Sequence, residues 1–216
     1  MGSGLRSEEC KAISEFRRSG RGLLVTRDHM DVGSSVCTLE GVGEAHQFHT
    51  KNYDARFPLE RDDPYTLEIG WPNFHSGANG DFQQVEIVGD THPVLVDASS
   101  PTGTIRFLPS HPHEGAVRAP EDQSARVIAG GRSKITGKRF NLAVAFEHAA
   151  GMGRAIAESS FHHFADYNWD PRLGCPTFVN EPAGDAMLRE PAALDSVHQY
   201  VRNVAIWLAG SASSRR

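Results

Sequence analysis

The chain has 216 residues, 39% hydrophobic and 23% charged, with a formal net charge of −5 at pH 7. This is ordinary globular composition, and the length suits one domain around one core. The absence of a basic block argues against nucleic acid as a partner. No apolar run approaches the ~20 residues of a membrane-spanning helix, and the N-terminus lacks the apolar segment of a signal peptide.

The cysteines are few and the histidines many. Cys10, Cys37 and Cys175 are widely separated and odd in number. This argues against a disulfide framework or a cysteine-rich zinc site and fits a reducing cytoplasm. The chain has 11 histidines, most of which cluster in short polar segments. We therefore expect a cytoplasmic protein whose functional site is to be sought among those segments.

The first elements in chain order are a helix and a strand. An amphipathic helix is predicted over residues 7 to 19, with Gly20 as its stop signal. The apolar run GLLVT, residues 22 to 26, follows as a strand buried on both faces. A helix, a glycine turn and a buried strand in succession indicate an α/β fold with a parallel sheet. Residues 46 to 80 lack periodicity and contain three prolines, so a long loop excursion is expected there.

The second half of the chain contains most of the predicted strands. The apolar runs are FQQVEIVG, TIRFLP, the pair ARVIAGG and FNLAVAFE, and GRAIAES. The segment HPVLVD is either a helical turn or a strand. A helix is predicted over residues 194 to 209, with an apolar stripe of Leu194, Val197, Val201, Val204 and Leu208.

The predicted architecture is one α/β domain over residues 1 to 216. Its mostly parallel sheet is expected to contain residues 22–26, 104–108 and 153–158. The polar segment 210–216 is expected to be a disordered tail.

Three histidine-bearing segments each follow a predicted strand. RDHMD follows GLLVT, SHPHEG follows TIRFLP, and FHHFADYN follows GRAIAES. In open parallel sheets the ligand crevice lies outside the carboxyl ends of the strands. If these strands are parallel, all three segments face the same edge of the sheet.

These segments supply the candidate site residues. Acid–base catalysis needs a histidine oriented by a carboxylate, and the candidate catalytic residues are Asp28, His29, His162 and Asp166. Imidazoles and carboxylates bind divalent metals such as zinc, and the candidate metal ligands are His111, His113 and Glu114. The candidate ligand-binding residues are Arg27, Asn79, His163 and Asn168.

Each segment also has a structural interpretation. Adjacent strand residues point to opposite faces, so at most one of His162 and His163 is expected to face the crevice, namely His162. Phe161 and Phe164 would then anchor the segment in the core. In SHPHEG the proline favours an extended backbone, and imidazoles bonded to backbone carbonyls are an equal alternative to metal ligation.

The remaining histidine segments have weaker functional signals. The segment HSGANGD could hold an anion through backbone N–H groups, but a plain turn is favoured. His46 and His49 have a ligand spacing on a helix, with solvation at the surface the favoured interpretation. His92, His148 and His198 are interpreted as structural.

Several of these segments together resemble the class I glutamine amidotransferase-like superfamily, in particular its ThuA-like branch. They are GRGLLVTRDH, THPVLVD, the pair ARVIAGG and FNLAVAFE, and GMGRAIAESSFHHFADYN. The resemblance implies a flavodoxin-like three-layer α/β sandwich. True amidotransferases carry a cysteine at the turn after the first of these strands, where this chain has Arg27, Asp28 and His29. Glutamine hydrolysis by that route is therefore not expected.

Another departure concerns the start of the fold. Members of the superfamily have a strand–helix–strand unit before the helix that leads to this turn, whereas this chain begins almost at that helix. A missing strand would leave a sheet edge open, and open edges tend to be paired or covered. We therefore expect a homodimer or a poorly soluble protein.

Two classes of function follow. The first is an enzyme, hydrolase-like or isomerase-like, acting on a small polar metabolite, which the ThuA-like resemblance implies is a carbohydrate. Its histidine–carboxylate cluster would be catalytic, with a divalent metal such as zinc as the candidate cofactor. The second is a non-catalytic small-molecule-binding module that keeps the crevice.

Overall fold

The computed structural model describes residues 5–27, 36, 38–46, 76–111, 117–121, 124–134, 137, 139–147, 152–175, 177, 179–180 and 182–210. These residues form an α/β fold. Most of the expected loop excursion (47–75) and the expected tail (211–216) lie outside the described residues. Within the described part of the chain, no helix combines the length and the apolar character needed to cross a membrane.

The elements are as follows. The α-helices of the described residues are α1 (Ser7–Arg18), α2 (Asp166–Trp169), α3 (Ala186–Arg189) and α4 (Pro191–Ala209). The strands are β1 (Leu23–Thr26), β2 (Phe82–Gln84), β3 (Glu86–Ile87), β4 (Phe107–Pro109), β5 (Ala125–Arg132), β6 (Arg139–Phe146) and β7 (Ala155–Glu158). Short 3-10 turns cover Val42–His46, Pro93–Leu95, Phe161–Phe164 and Pro171–Leu173.

The larger sheet is mixed and has the strand order β1-β7-β6-β5-β3. Strands β1 and β7 pair in parallel, with Leu23 opposite Ala155. The pairs β7–β6, β6–β5 and β5–β3 are antiparallel. The expected mostly parallel sheet is therefore not what these strands form. Residues 133–138 and 147–154, which join β5 to β6 and β6 to β7, are too few for the crossover that parallel neighbours require.

The predicted strand 104–108 lies outside this sheet. Strand β4 pairs antiparallel with β2 in a separate two-stranded sheet. Phe107 is buried against Met187, Ala193 and Val197, and its backbone N–H donates to Ser196 Oγ at 3.1 Å. Packing against α3 and α4 thus holds β4 in place, and it does not hydrogen-bond to β1 or β7.

Helices cover both faces of the larger sheet. On one face, Tyr200, Val204 and Trp207 of α4 pack against Leu142 and Ile156. On the other, Ile13 of α1 and Val42 pack against Val144, Phe146 and Ala157. The apolar stripe predicted for the C-terminal helix is rotated in the structure: Val197 and Val204 are buried, but Leu194, Val201 and Leu208 are only half-buried. Tyr200 and Trp207 take the central places because their large rings bury more surface.

Candidate functional site

Strands β4 and β7 end beside one another although they belong to different sheets. His111 follows β4 by two residues, and His162 follows β7 by four. Their imidazole rings are stacked, with centroids 3.5 Å apart and an interplanar angle of 15°. The second and third histidine segments therefore converge.

The segment Phe161–Phe164 is a 3-10 turn rather than a continuation of the strand. Ser160 precedes it, and Ser160 Oγ accepts the backbone N–H of His162 at 3.1 Å. The two histidines still separate, because His163 is fully buried whereas His162 is half-buried. The expectation that Phe161 anchors the core is wrong: the turn leaves it 41% exposed, with its ring 4.0 Å from that of His162. Phe164 does pack against the core.

Two buried asparagines connect the stacked histidines. Asn168 Oδ1 lies 2.7 Å from His162 Nδ1, and Asn79 Oδ1 lies 3.1 Å from His111 Nδ1. Asn168 Nδ2 donates to Asn79 Oδ1 at 2.8 Å, which joins the two halves. We call these four residues the His–Asn chain. It contains one predicted catalytic residue, one predicted metal ligand and two predicted ligand-binding residues.

Asn79 is positioned by a glycine-containing turn. The backbone N–H of Asp81 donates to the carbonyl of Ala78 at 3.1 Å. Gly77 and Gly80, on either side of the Ala78–Asn79 pair, have φ of 145° and 83°, which glycine adopts at little cost. The segment HSGANGD thus forms a turn over its described residues, the favoured of its two interpretations, and the turn places Asn79 against His111.

Asp166 does not pair with His162 as predicted. It is exposed at the first position of α2, where its Oδ1 accepts the backbone N–H of Tyr167 at 2.7 Å. Because this carboxylate bonds to the backbone of its own helix, it is Asn168 of the same short helix that contacts His162 Nδ1. Within the described part of the chain, the partner of His162 Nδ1 is therefore a neutral amide.

Glu158, the last residue of β7, is the centre of a buried polar cluster. His163 Nδ1 lies 3.1 Å from Glu158 Oε2, and the hydroxyl of Tyr200 donates to Oε1. Burial, together with the negative charge of Glu158, raises the pKa of Tyr200 well above its usual value, so the phenol remains a donor. His163 therefore faces the interior. Glu158 escaped the sequence analysis, although a glutamate in an otherwise apolar strand was the available signal.

Arg27 and His46 join the ends of β1 and β7. Arg27 is buried, and its Nη1 donates to the carbonyl of His46 at 3.1 Å. The Arg27 carbonyl accepts the N–H of Phe161 at 2.8 Å. His46 Nε2 lies 3.1 Å from the carbonyl oxygen of Glu158. His46 is fully buried, so its assignment to the surface is wrong, and the carbonyl of Glu158 holds its Nε2 inside the fold.

Four predicted site residues, Asp28, His29, His113 and Glu114, lie outside the described residues. Within the part that is described, no group of three or more His, Cys, Asp or Glu side chains is arranged to hold a metal ion. The zinc expectation, and the catalytic roles of Asp28 and His29, stay predictions.

A cavity of about 320 Å³ lies beside Ser76, next to the His–Asn chain. Of its walls, Ser76 alone belongs to a segment that the sequence analysis considered functional, HSGANGD. The walls are Ser76, Phe82, Gln83, Gln84, Glu86, Arg132 and Lys134. The arginine, lysine and glutamine residues come from separate short segments and form no recognisable sequence motif. Their proximity is evident only in the folded structure.

Comparison of the chain with protein-family models, with curated proteins and with solved structures gives no match. The likeness to the ThuA-like branch therefore stays an expectation from sequence motifs. The geometry of the His–Asn chain carries the functional interpretation.

Proposed function

We propose that the protein is an acid–base enzyme, hydrolase-like or isomerase-like, that acts on a small polar metabolite at the His–Asn chain. His162 is the main proton-transferring group and His111 is its partner. The observation that carries the proposal is the stacked pair of imidazoles, each held through Nδ1 by a buried asparagine.

The asparagines set the tautomer of each ring. An amide oxygen only accepts hydrogen bonds, so each histidine Nδ1 carries the proton and donates it. The side-chain amide of Asn168 has a fixed orientation, because its Nδ2 donates a hydrogen bond to Asn79 Oδ1. A neutral imidazole protonated at Nδ1 keeps a lone pair on Nε2, the atom that can abstract a proton or bind a metal.

The stacking places two groups that can transfer protons side by side, with ring centroids 3.5 Å apart. One ring can accept a proton from the substrate while the other returns one, as hydrolysis and isomerisation require.

The flavodoxin-like, ThuA-like interpretation of the fold is part of this proposal. It is supported by the parallel β1–β7 pair and by the helices on both faces of the sheet. Under this interpretation the substrate is a carbohydrate. A divalent metal such as zinc, bound through Nε2 of His111 and the neighbouring predicted ligands, is the candidate cofactor, and elemental analysis of the purified protein tests it.

One observation favours the second candidate, a non-catalytic binding module. Among the described residues, the groups that contact Nδ1 of His162 and Nδ1 of His111 are neutral amides. An amide holds an imidazole in place without stabilising its positive charge, whereas a carboxylate would do both. The same pair could then serve as a rigid polar surface for a ligand that is bound and not converted.

Substitution of the histidines separates the two candidates. The protein is incubated in D2O with a panel of aldoses, ketoses, lactones and nitrophenyl glycosides, and NMR follows deuterium incorporation and hydrolysis. We expect His162→Ala to lower the rate on any substrate by about 100-fold or more, the usual contribution of a general acid–base group. His198→Ala is the matched control, because His198 is exposed on α4 beside Trp169, and it should leave the rate unchanged.

Two results would contradict the enzyme proposal. The first is turnover in His162→Ala equal to that of the unmodified protein. The second is saturable binding that depends on His162 and His111 with no conversion of any ligand bound, which would establish the binding module instead.

A further inference from the structure

We infer that the cavity beside the His–Asn chain is the substrate subsite, and that it takes a small hydroxyl-bearing metabolite with an anionic group, a carboxylate or a phosphate. The inference rests on the proposed function, because it names the substrate class of the same site. The cavity volume, about 320 Å³, is at the lower end of the ~300–1,000 Å³ of small-molecule sites.

Ser76 connects the cavity to the histidine pair. Its hydroxyl donates to the carbonyl of His111 at 2.6 Å and accepts the backbone N–H of His111 at 2.9 Å. Ser76 itself lines the cavity and is buried. A molecule held in the cavity therefore lies one residue away from the backbone that carries the His111 ring.

Positively charged side chains outnumber negatively charged ones around the cavity. Glu86 is shared by two guanidinium groups, since Arg132 Nε contacts its Oε1 and Arg139 Nε lies 2.9 Å from its Oε2. One carboxylate thus faces two arginines. Lys134 adds a further cation, and among the described residues it has no ion-pair partner. An anionic group on the ligand would complete this set of charges.

Lys134 stands on the side of the cavity that faces the His–Asn chain. Its Nζ lies 3.0 Å from the position that a Cβ atom would take on Gly77, and Ser110 Oγ lies 2.6 Å from that position. The ammonium group therefore lies over the turn that carries Asn79. An anion bound by Lys134 would sit at the end of the cavity nearest to the histidines, with the rest of the ligand extending toward Gln84.

The uncharged walls suit hydroxyl groups. Gln83 and Gln84 present side-chain amides, and Ser76 presents a hydroxyl, and these groups both donate and accept. Gln83 is fixed by donation from its Nε2 to the carbonyl of Pro109 at 3.2 Å. Phe82, whose ring packs edge-on against Phe107, supplies an apolar wall. A neutral polyol would use the amides but would leave the charge of Lys134 without a partner.

Calorimetric titration with three related probes tests the inference. The probes are gluconate, glucose 6-phosphate and glucose, which share a hydroxylated skeleton and differ in the anionic group. The protein used is His162→Ala, so that binding is measured without turnover. We expect gluconate or glucose 6-phosphate to bind at least about tenfold more tightly than glucose, the value of one charge-assisted hydrogen bond. The tighter of the two anions identifies the group.

Removal of the cation should abolish this preference. In the same background, Lys134→Gln should weaken binding of the anionic probe by about tenfold and leave glucose unaffected. Lys11→Gln is the matched control, because Lys11 is an exposed lysine on α1 that pairs with Glu15, and it should change neither. Equal affinity for the three probes, absence of binding by all of them, or an unchanged anion affinity in Lys134→Gln would overturn the inference.

The outcome for the subsite is separable from that for the proposed function. If the anion preference depends on Lys134 while His162→Ala shows full turnover, the subsite stands and the acid–base proposal fails. If turnover requires His162 while the three probes bind alike, the acid–base proposal stands and the subsite inference fails.

Discussion

Among individual residues, Glu158 depends strongly on its hydrogen-bond partners, because its carboxylate is fully buried. An ionised carboxylate without hydrogen bonds inside a protein is strongly destabilising. Tyr200 and His163 each donate to one of its oxygens. These bonds tie the end of β7, the turn that carries His162 and the helix α4 together at one point. The half-buried His162 is thus held in place by the buried cluster of Glu158, His163 and Tyr200.

Tyr200→Phe tests this support. The variant keeps the ring and removes only the hydroxyl, so Glu158 Oε1 loses the hydrogen bond from Tyr200. We expect the free energy of unfolding to fall by about 1.5–3 kcal/mol, the range for a hydrogen bond to a charged group, as measured by chemical denaturation. In the background Glu158→Gln the same change should cost clearly less, because a neutral amide replaces the charge. Equal costs in both backgrounds would contradict the assignment.

His92 gives a pH dependence of stability. Burial lowers its pKa from 6.5 to about 4, and the charges of Arg126 and Arg154 act in the same direction. The Glu147 carboxylate, 3.3 Å from Nε2, acts in the opposite direction. It is outweighed because it is partly exposed to water and is shared with Arg126.

The sign follows from which state binds the proton. Between about pH 6.5 and pH 4 the unfolded chain protonates this histidine and the folded chain does not, so stability falls as the pH falls through this range. The loss should be on the order of 3 kcal/mol, from a shift of 6.5 to about 4 at about 1.4 kcal/mol for each unit. His92→Asn, which keeps an acceptor for the N–H of Val94, should flatten the pH profile measured by urea denaturation. If the stability of His92→Asn instead falls with pH in parallel with that of the unmodified protein, His92 is not the source of the pH dependence.

The sequence was informative about which histidine faces the interior, though for a wrong reason. Strand alternation was expected to separate His162 from His163, and a 3-10 turn capped by Ser160 separates them instead. Asp166 does not orient His162, because its Oδ1 accepts the backbone N–H of Tyr167. Partners that depend on such local competition are not specified by residue type alone.

At the element scale, the end of α1 is joined to the chain that enters β7. Gly153 N–H donates to the carbonyl of Arg17 at 2.8 Å, and Arg17 Nε donates to the carbonyl of Gly153 at 3.0 Å. A Cβ atom on Gly153 would lie 1.9 Å from the carbonyl oxygen of Arg21. Only a residue without a side chain allows this approach of two backbone segments.

Gly153→Ala should therefore be destabilising. The clash is with backbone atoms, which a side-chain rotation cannot relieve, and we expect a loss of about 1–3 kcal/mol in thermal or chemical unfolding. Gly210→Ala is the matched control, because its Cβ would meet only the flexible end of Arg154 at 3.2 Å and its φ is −63°. The control should stay within about 0.5 kcal/mol of the unmodified protein. Similar losses in both variants would refute the close approach.

The positions of the elements were more predictable than their pairing. Continuous apolar runs located β1, β5, β6 and β7 because burial requires such residues. The direction of pairing depends on the chain between strands, and the short links 133–138 and 147–154 dictate antiparallel neighbours. The lengths of these links can be read directly from the sequence. The separation of β4 into a second sheet cannot, because it depends on how Phe107 packs against α3 and α4.

At the scale of the whole molecule, β1 lies at an edge of the larger sheet. Its hydrogen-bonded neighbour among the described residues is β7, and the N–H of Leu23 points to that side, toward the carbonyl of Arg154. Since parallel ladders alternate, the N–H groups of Leu24 and Thr26 point to the other side. An edge of this kind is a template for another strand.

We therefore expect two copies to associate through β1. Light scattering coupled to size-exclusion chromatography should give a mass near that of a dimer at high concentration. Thr26→Pro removes an N–H that points away from β7 and should shift the mass toward the monomer, with the melting temperature confirming that the variant is folded. A monomer at every concentration for the unmodified protein would contradict the expectation.

The parallel pair β1–β7 also determines when the protein can finish folding. Leu23 lies opposite Ala155, so this contact closes a very long loop of chain. Such contacts form late, because the chain must lose the entropy of loop closure before the contact contributes any stabilisation. During synthesis α1 and β1 leave the ribosome well before their partner strand exists. Strands β5, β6 and β7, by contrast, can pair as soon as they are made. A segment that is made early is thus among the last to be incorporated, and its apolar side chains wait for a partner until β7 has been made.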